Sequence, residues 1–560
     1  METFSLLESV YRKGLDAVSA IIEHIPDWDI WAWAAVAFLL PVLAHRAYKA
    51  VTNALRARPA PDRGRPAGTS AEESANGPPF TGNYEADLNY IKAKVGNNSD
   101  VCIRSFAMER AGTRGTLFYI NGMQNDRLLN MQTLEHLMFE ATSELLTSIG
   151  SGDPPLPFSS LCAAPGMDSF IRSMLFGHTA LLIDGLPRGL LIEQPDGVNR
   201  AVAEPVSEAL LRGPRIGFSE VLSENTSLLR RQGFSDQLEM KSYRVGTRLK
   251  KDLVLAYIKD IVNPDLLREV ETRVSRMDTE FVAESGFVEQ LIEDQALSPF
   301  QQLQNTERPD RVINALLEGR VAILLDGTPF VLIAPVTFSM LLQSPEDYYE
   351  RWLPSSLLRI MRFGAAFLAL MAPAFYVSFI SFHPGLIPTE LAITIIETRH
   401  GVPFPSLIEV LILEVSIEIL REAGIRLPKP IGPAMGIVGG LIIGDAAVQA
   451  GIVSPFLVIV VAVTAISSFS IPSYSAGITL RMLRFAGMLF AAMLGIFGTI
   501  LFFLLLCSHL SKLKSFGVPY LTPATPLRLR DWKDLLIRAP LSMMKRRPAM
   551  MKTQDDRRQS

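Results

Sequence analysis

Cysteine is nearly absent: Cys102, Cys162 and Cys507 are the only three in 560 residues, and none has the close spacing of a ligand set. Three scattered thiols exclude a disulfide framework and fit a reducing compartment. Histidine is almost as scarce, with seven in the chain and no HExxH pair. There is no GxxxxGK[ST] phosphate loop and no GxSxG nucleophile elbow. The glycine-rich string GIVGGLIIG (Gly436–Gly444) belongs to a membrane helix and is not a dinucleotide fingerprint. With no metal cluster, no cofactor motif and no catalytic set, the chain reads as a non-enzyme. Charge of one sign is missing too: 54 Lys+Arg against 57 Asp+Glu leave a net −3, which gives no global case for nucleic acid.

What the chain has in quantity is apolar sequence, 48% of residues, unevenly spread. Residues 83 to 360 have the charge density of a soluble protein, and residues 363 to 508 have the look of a lipid-facing one. An earlier apolar run, Trp28–Ala44, follows an acid-rich stretch and precedes Arg46, Lys49, Arg56 and Arg58. It lacks a small-residue cleavage site and reads as an uncleaved anchor within residues 1–56, with residue 46 onward in the cytoplasm. The Pro-, Gly-, Ala- and Ser-rich residues 57–82 read as a disordered linker.

Residues 83–355 mix α and β patterns and echo themselves. GTLFYINGMQNDRLLNMQTLEHLM (Gly115–Met138) and DLVLAYIKDIVNPDLLREVETRV (Asp252–Val274) both run strand, turn, helix, with Tyr119 answering Tyr257. Two hairpins follow, around Asp184-Gly185 and Asp326-Gly327, since Asp-Gly between two β-rich apolar runs is a strong hairpin signal. The spacing predicts two similar α/β subdomains, 83–200 and 246–355, joined by a charged helical bridge, 201–245.

Residues 356–510 read as a polytopic helical membrane domain, followed by a basic tail, 511–560. Phe363–Phe382 is 20 uncharged residues and Phe485–Ser508 is 24, each long enough to span. Between Ile431 and Leu480 the single charge is Asp445, which suits two more spans, about 431–450 and 455–472. Arg359 and Arg362 ahead of the first span, and the basic tail, put both soluble parts in the cytoplasm. Arg481 and Arg484 disagree, because four spans would leave them outside. The interval 386–424 reads as amphipathic or re-entrant: Glu414, Glu418 and Glu422 lie near one stripe of a helix over Ser406–Gly424, with Glu409 flanking it.

Three groups could carry function. Gly432, Gly436, Gly440 and Gly444 recur every four residues, three overlapping GxxxG motifs that let helix backbones approach closely in lipid. Asp445, Glu414 and Glu418 are candidates for an ion path, since intramembrane carboxylates are costly and acidic rings favour cations. The plainer alternatives are a crowded intramolecular contact for the glycines and solvated or interfacial positions for the carboxylates. In the string Glu307-Arg308-Pro309-Asp310, Pro309 suits a first helical turn, Asp310 suits the helix N-terminal dipole, and Arg308 can pair with a carboxylate, so the string reads as structural.

Four strings carry a resemblance: SPF (Ser298–Phe300), NTERPD (Asn305–Asp310), EGRVAILLDGTPF (Glu318–Phe330) and QSPEDYYERW (Gln343–Trp352). Over about Leu117 to Arg547 the chain resembles the A subunits of the GerA family of spore germinant receptors, apart from its N-terminal anchor, which departs from the family pattern. The resemblance implies a multi-pass protein of the spore inner membrane working with a B subunit, a multispan nutrient sensor, and a C subunit, a lipoprotein. It further implies oligomerisation of A subunits, as a pentamer, into a nutrient-gated channel for monovalent cations, with no cofactor. A secondary transporter and a non-conducting scaffold, including a paralogue associated with dipicolinate release, are the alternatives.

Overall fold

A computed structural model of the chain describes residue 46 and residues 77–123, 134–140, 142, 161–192, 204–205, 207–233, 235–426, 444–528 and 530–558. The expected anchor, most of the linker, and Gly432, Gly436 and Gly440 lie outside the described residues.

Helix α1 (Tyr84–Val95) starts at Asn83, whose side chain accepts from the Ala86 amide and satisfies one of the orphan donors of a helix start. Strands β1 (Val101–Met108), β2 (Thr113–Ile120) and β3 (Leu161–Ala163), helix α2 (Met167–Leu175), and strands β4 (Thr179–Ile183) and β5 (Leu190–Ile192) follow. The series then runs again: α3 (Leu222–Gln232), β6 (Leu238–Val245), β7 (Lys251–Ile258), α4 (Pro264–Ser275), α5 (Ser285–Ile292), β8 (Gln304–Thr306), α6 (Pro309–Leu317), β9 (Val321–Leu325) and β10 (Val331–Ala334). Each series makes a five-stranded sheet, ordered β1-β2-β4-β5-β3 and β6-β7-β9-β10-β8. Every pairing in both is antiparallel.

Alternation along the strands explains the layers. In β7, Leu253, Leu255 and Tyr257 pack with α4 and α5, while Val254, Ala256 and Ile258 pack with α3 and α6. Both sheet faces are covered, so the central strands read as continuous apolar runs rather than alternating ones. At the Asp326-Gly327 turn, Gly327 takes φ +80°, a left-handed conformation that glycine adopts without steric cost. The expected helical bridge 201–245 is corrected, because its last eight residues are β6, an edge strand of the second sheet. β6 carries exposed charged side chains (Lys241, Arg244), which mask the strand signal in the sequence.

The apolar region holds α7 (Trp352–Ser381), α8 (Thr389–Arg399), α9 (Ser406–Arg426), α10 (Pro455–Phe469) and α11 (Tyr474–Lys512). α7 is long and apolar enough to cross a bilayer, α11 is apolar over 39 residues, and α10 is apolar but shorter, at 15 residues. The uncharged run Phe485–Ser508 is not one straight helix. Gly495 breaks α11 at φ +60°, ψ −139°, and Phe490 and Phe502 sit 5.7 Å apart across the break. A continuous helix would separate those two residues by about 18 Å. Both ends of α11 also meet one segment: Gln301 donates to Ser473 Oγ (3.3 Å), Thr479 donates to Pro299 O (2.7 Å), and Ser298 Oγ bonds His509 Nε2 (2.9 Å). α11 is therefore a helical hairpin with its tip at Gly495, packed on Phe382 and His383 at the end of α7. This geometry brings Arg481 and Arg484 to the arm that starts at the α/β side.

The basic tail does not leave the body of the protein. Ser515 Oγ donates to Gln302 O (2.6 Å), Arg547 Nε donates to Leu317 O (2.8 Å), and Gln554 Nε2 donates to Val262 O (2.7 Å).

Candidate functional site

Two of the four signature strings, NTERPD and QSPEDYYERW, meet at one joint between the second sheet unit, the root of α7 and the tail. Pro309 takes the first turn of α6, with its missing N–H at no cost, and Arg308 is the residue before it. Arg308 is fully buried, and its guanidinium grips Asp310 through Nε and Nη2 (both 3.1 Å) while Nη2 donates to Pro214 O (2.7 Å). Tyr349 also donates to Asp310; burial, with that carboxylate beside it, holds the Tyr349 hydroxyl well above its ordinary range. Glu307 is buried and accepts from the Ser207 amide (3.1 Å). One turn on, Arg311 pairs with Glu208 (2.8 Å) and donates to Met340 O and Gln343 O (3.1 Å each).

The string Gln343–Trp352 continues the joint. Asp347 is 2% exposed and accepts from Arg359 Nε (3.2 Å) and from Arg362 Nη1 (2.8 Å) and Nη2 (2.7 Å), both arginines of α7. Arg359 also holds Asp534 of the tail (2.8 Å), and Tyr348 donates to the same carboxylate (2.6 Å). Burial, then the Asp534 charge, pushes the Tyr348 hydroxyl up. Arg538 donates to Glu350 O (2.8 Å), and Ser356 Oγ accepts from the Arg538 amide (3.0 Å). The α/β part and the tail are thus tied to the α7 root by hydrogen bonds and ion pairs as well as by the chain itself. Sequence reasoning read Arg359 and Arg362 as a topology signal and missed Asp347, Asp534 and Glu208; the acid-rich PED ahead of two arginines was the available clue.

A second buried joint ties the two sheets together. Arg230 (1% exposed) clasps Asp100 through Nε (2.8 Å) and Nη2 (3.1 Å) and donates to Leu238 O.

Of the three expected ion-path carboxylates, Glu414 and Glu418 are brought close to arginines, as is Glu409 of the same helix, whereas Asp445 is not. Glu409 pairs with Arg399 of α8 (2.5 Å), and Glu414 pairs with Arg484 of α11 (2.8 Å), with both glutamates and Arg484 buried. Glu418 faces Arg484 (3.2 Å), Arg481 (3.4 Å) and Arg421 (3.6 Å). Glu422 is exposed and bonds Arg426. α9 lies within the bundle rather than along a surface, with Val410 and Leu413 in the core it shares with α7, α10 and α11. Arg399 and Arg421 had no role in the sequence reading and Arg484 entered it only as a topology signal, since the carboxylates that Arg399 and Arg484 meet lie on another helix. Asp445 is exposed and accepts from Gln449 (2.8 Å). Gly444 approaches α10, where an added Cβ would stand 3.6 Å from Val458.

Two antiparallel α/β units held through buried ion pairs to a bundle of apolar helices define a two-part class of protein. The family model for the Bacillus/Clostridium GerA spore germination protein matches residues 89–550. The chain is 42% identical over 475 residues to spore germination protein GerLA of Bacillus cereus, covering 85% of this chain and 96% of that one. It is 42% identical over 470 residues to the uncharacterized membrane protein YfkQ of Bacillus subtilis, covering 84% and 91%. A crystal structure of the N-terminal domain of the A subunit of the Bacillus megaterium spore germinant receptor GerK3 is 30% identical, covers 46% of this chain and 97% of that domain, and aligns with a TM-score of 0.34. The chain belongs to the GerA spore germination protein family, whose members are germination proteins rather than enzymes.

Proposed function

We propose that the chain is the A subunit of a nutrient germinant receptor in the spore inner membrane. It assembles with a multispan B subunit and a lipoprotein C subunit, and its A subunits close into a ring, a pentamer, that conducts monovalent cations when nutrient binds. The α/β part and tail face the spore core. The observation that carries this reading is the family match over residues 89–550, within which Asp347 binds Arg362 at the root of α7 and Tyr349, beside it, binds Asp310 of a second signature string. Asp347 and Asp310 give that joint the rigidity a gate needs, since buried charge pairs have few alternative partners. Gly432, Gly436, Gly440 and Gly444 are the proposed close-packing face, and Asp445, Glu414 and Glu418 the proposed ion path.

A second reading is a non-conducting scaffold. It draws support from the arginine that meets each of Glu409, Glu414 and Glu418 within one copy. Potassium efflux from proteoliposomes holding this chain with its B and C partners, with and without nutrients, separates the two. Nutrient-gated efflux that Gly440→Leu abolishes supports the channel; an assembled complex without efflux under any condition leaves the scaffold.

A further inference from the structure

At the far end of α7, a groove of about 300 Å³ is lined by Ile380, Pro384, Ile387, Ala392, Ile395, Ile396, Arg399 and His400. We propose that it holds an anionic phospholipid, an acyl chain along the isoleucines and the phosphate at Arg399 and His400. This rests on the reading that α7 crosses the membrane.

The level of the groove fits. From Arg362 to Ser381, α7 rises about 29 Å at 1.5 Å per residue, close to the roughly 30 Å hydrocarbon thickness. The turn Pro384–Leu386 and α8 then begin at the far headgroup layer. α8 suits an interfacial position: Leu391, Ile393 and Ile396 are exposed beside the groove, and Leu386 is 65% exposed at its mouth. Those exposed side chains make the groove continuous with the apolar outer surface of the bundle, which selects a lipid over a soluble ligand.

The charge of the groove fits an anion. Arg399 spends Nη2 on Glu409, while its Nε is buried without a hydrogen-bond partner. Its side chain stays 20% exposed, and His400 beside it is exposed. Glu390 and Glu397, the acidic residues of α8, are exposed and do not line the groove. A part-exposed guanidinium lining the groove beside an exposed imidazole matches a phosphodiester, to which charge-assisted hydrogen bonds are the strong kind.

The test uses the full chain purified in mild detergent and offered equal phosphatidylglycerol and phosphatidylcholine, with bound lipid counted by native mass spectrometry. Phosphatidylglycerol is expected to be retained roughly tenfold over phosphatidylcholine, the factor that one charge-assisted hydrogen bond gives. Ala392→Trp, which fills the groove, is expected to lose the lipid, and His400→Gln to reduce the preference without disturbing the Arg399–Glu409 pair. Inorganic phosphate alone is expected not to compete. Equal retention of the two lipids, retention by Ala392→Trp, or displacement by phosphate overturns the site. So does phosphatidylglycerol bound to the free chain but lost from the complex with partner subunits, which would give the groove to a protein segment. Labelling of His400→Cys with an impermeant maleimide separates the premise: reaction from the tail side refutes the crossing of α7, whereas reaction from the opposite side without lipid preference refutes only the lipid.

Discussion

Replacing Asp347 by alanine removes the carboxylate that two arginines of α7 share. Asp347 is 2% exposed, Arg359 is fully buried, and the Arg362 side chain is 12% exposed. Arg359 keeps Asp534 as a partner at 2.8 Å, so it is left half-compensated, but Arg362 loses both of the bonds described for it. Breaking a buried pair by deleting one partner costs about 3–5 kcal/mol, because the remaining charge stays desolvated. At roughly 2–4 °C per kcal/mol for domains of ordinary size, thermal unfolding of the full chain in detergent should fall by about 6 °C or more. Asp534→Asn should cost about 1 kcal/mol, since that carboxylate is 25% exposed. The cycle with Arg362→Met isolates the pair: the double variant should be more stable than the summed single effects predict, by about 1–3 kcal/mol. If Asp347→Ala melts within a degree of the parent, or the cycle closes without coupling, the joint is not a buried electrostatic lock and the reasoning fails.

Gly495→Ala forces a side chain onto φ +60° with Phe382 Cβ 2.9 Å from the new methyl, and should lower the folded yield and open the α11 hairpin to protease. An unchanged yield and cleavage pattern would mean that the turn tolerates rearrangement. Asp100→Asn strands Arg230 between the sheets, and amide exchange in β6 should quicken while β9 stays protected; uniform protection would show that the sheets do not depend on that pair. The Glu289 carboxyl is pushed up to about 7 by burial and by the Glu293 and Glu284 charges. The folded state therefore binds its proton more tightly than the unfolded state does, and stability declines from about pH 4.3 up through 7, then levels. Glu289→Gln should stabilise the chain by about 1–2 kcal/mol at pH 8 after solvent screening, and little at pH 4, by urea titration at both values. Equal gains at both pH values would count against it.

The sequence by itself determined the central strands, the Asp-Gly turns and the repeat, because each follows from local chemistry. Leu253–Ile258 of β7 and the whole of β9 are unbroken apolar runs, glycine is the residue that takes φ +80° at position 327, and Pro309 can start a helix but not continue one. It also marked Phe363–Phe382 as helix, since 20 uncharged residues need no partner to reveal their preference. Tertiary structure decided what depends on distant neighbours. β1 and β6 are edge strands whose charged outer positions look like loop until β2 and β7 pair with them. The fold-back of α11 turns on Gly495, indistinguishable in sequence from a glycine inside a helix until Phe382 and His383 close on it. The acidic stripe of α9 is plain in sequence, but whether Glu414 faces water, lipid or a charge was settled by Arg484, 70 positions away on another helix and 2.8 Å distant in space. Ion pairing in a low-dielectric interior depends on separation in space, and spacing along the chain carries no trace of it.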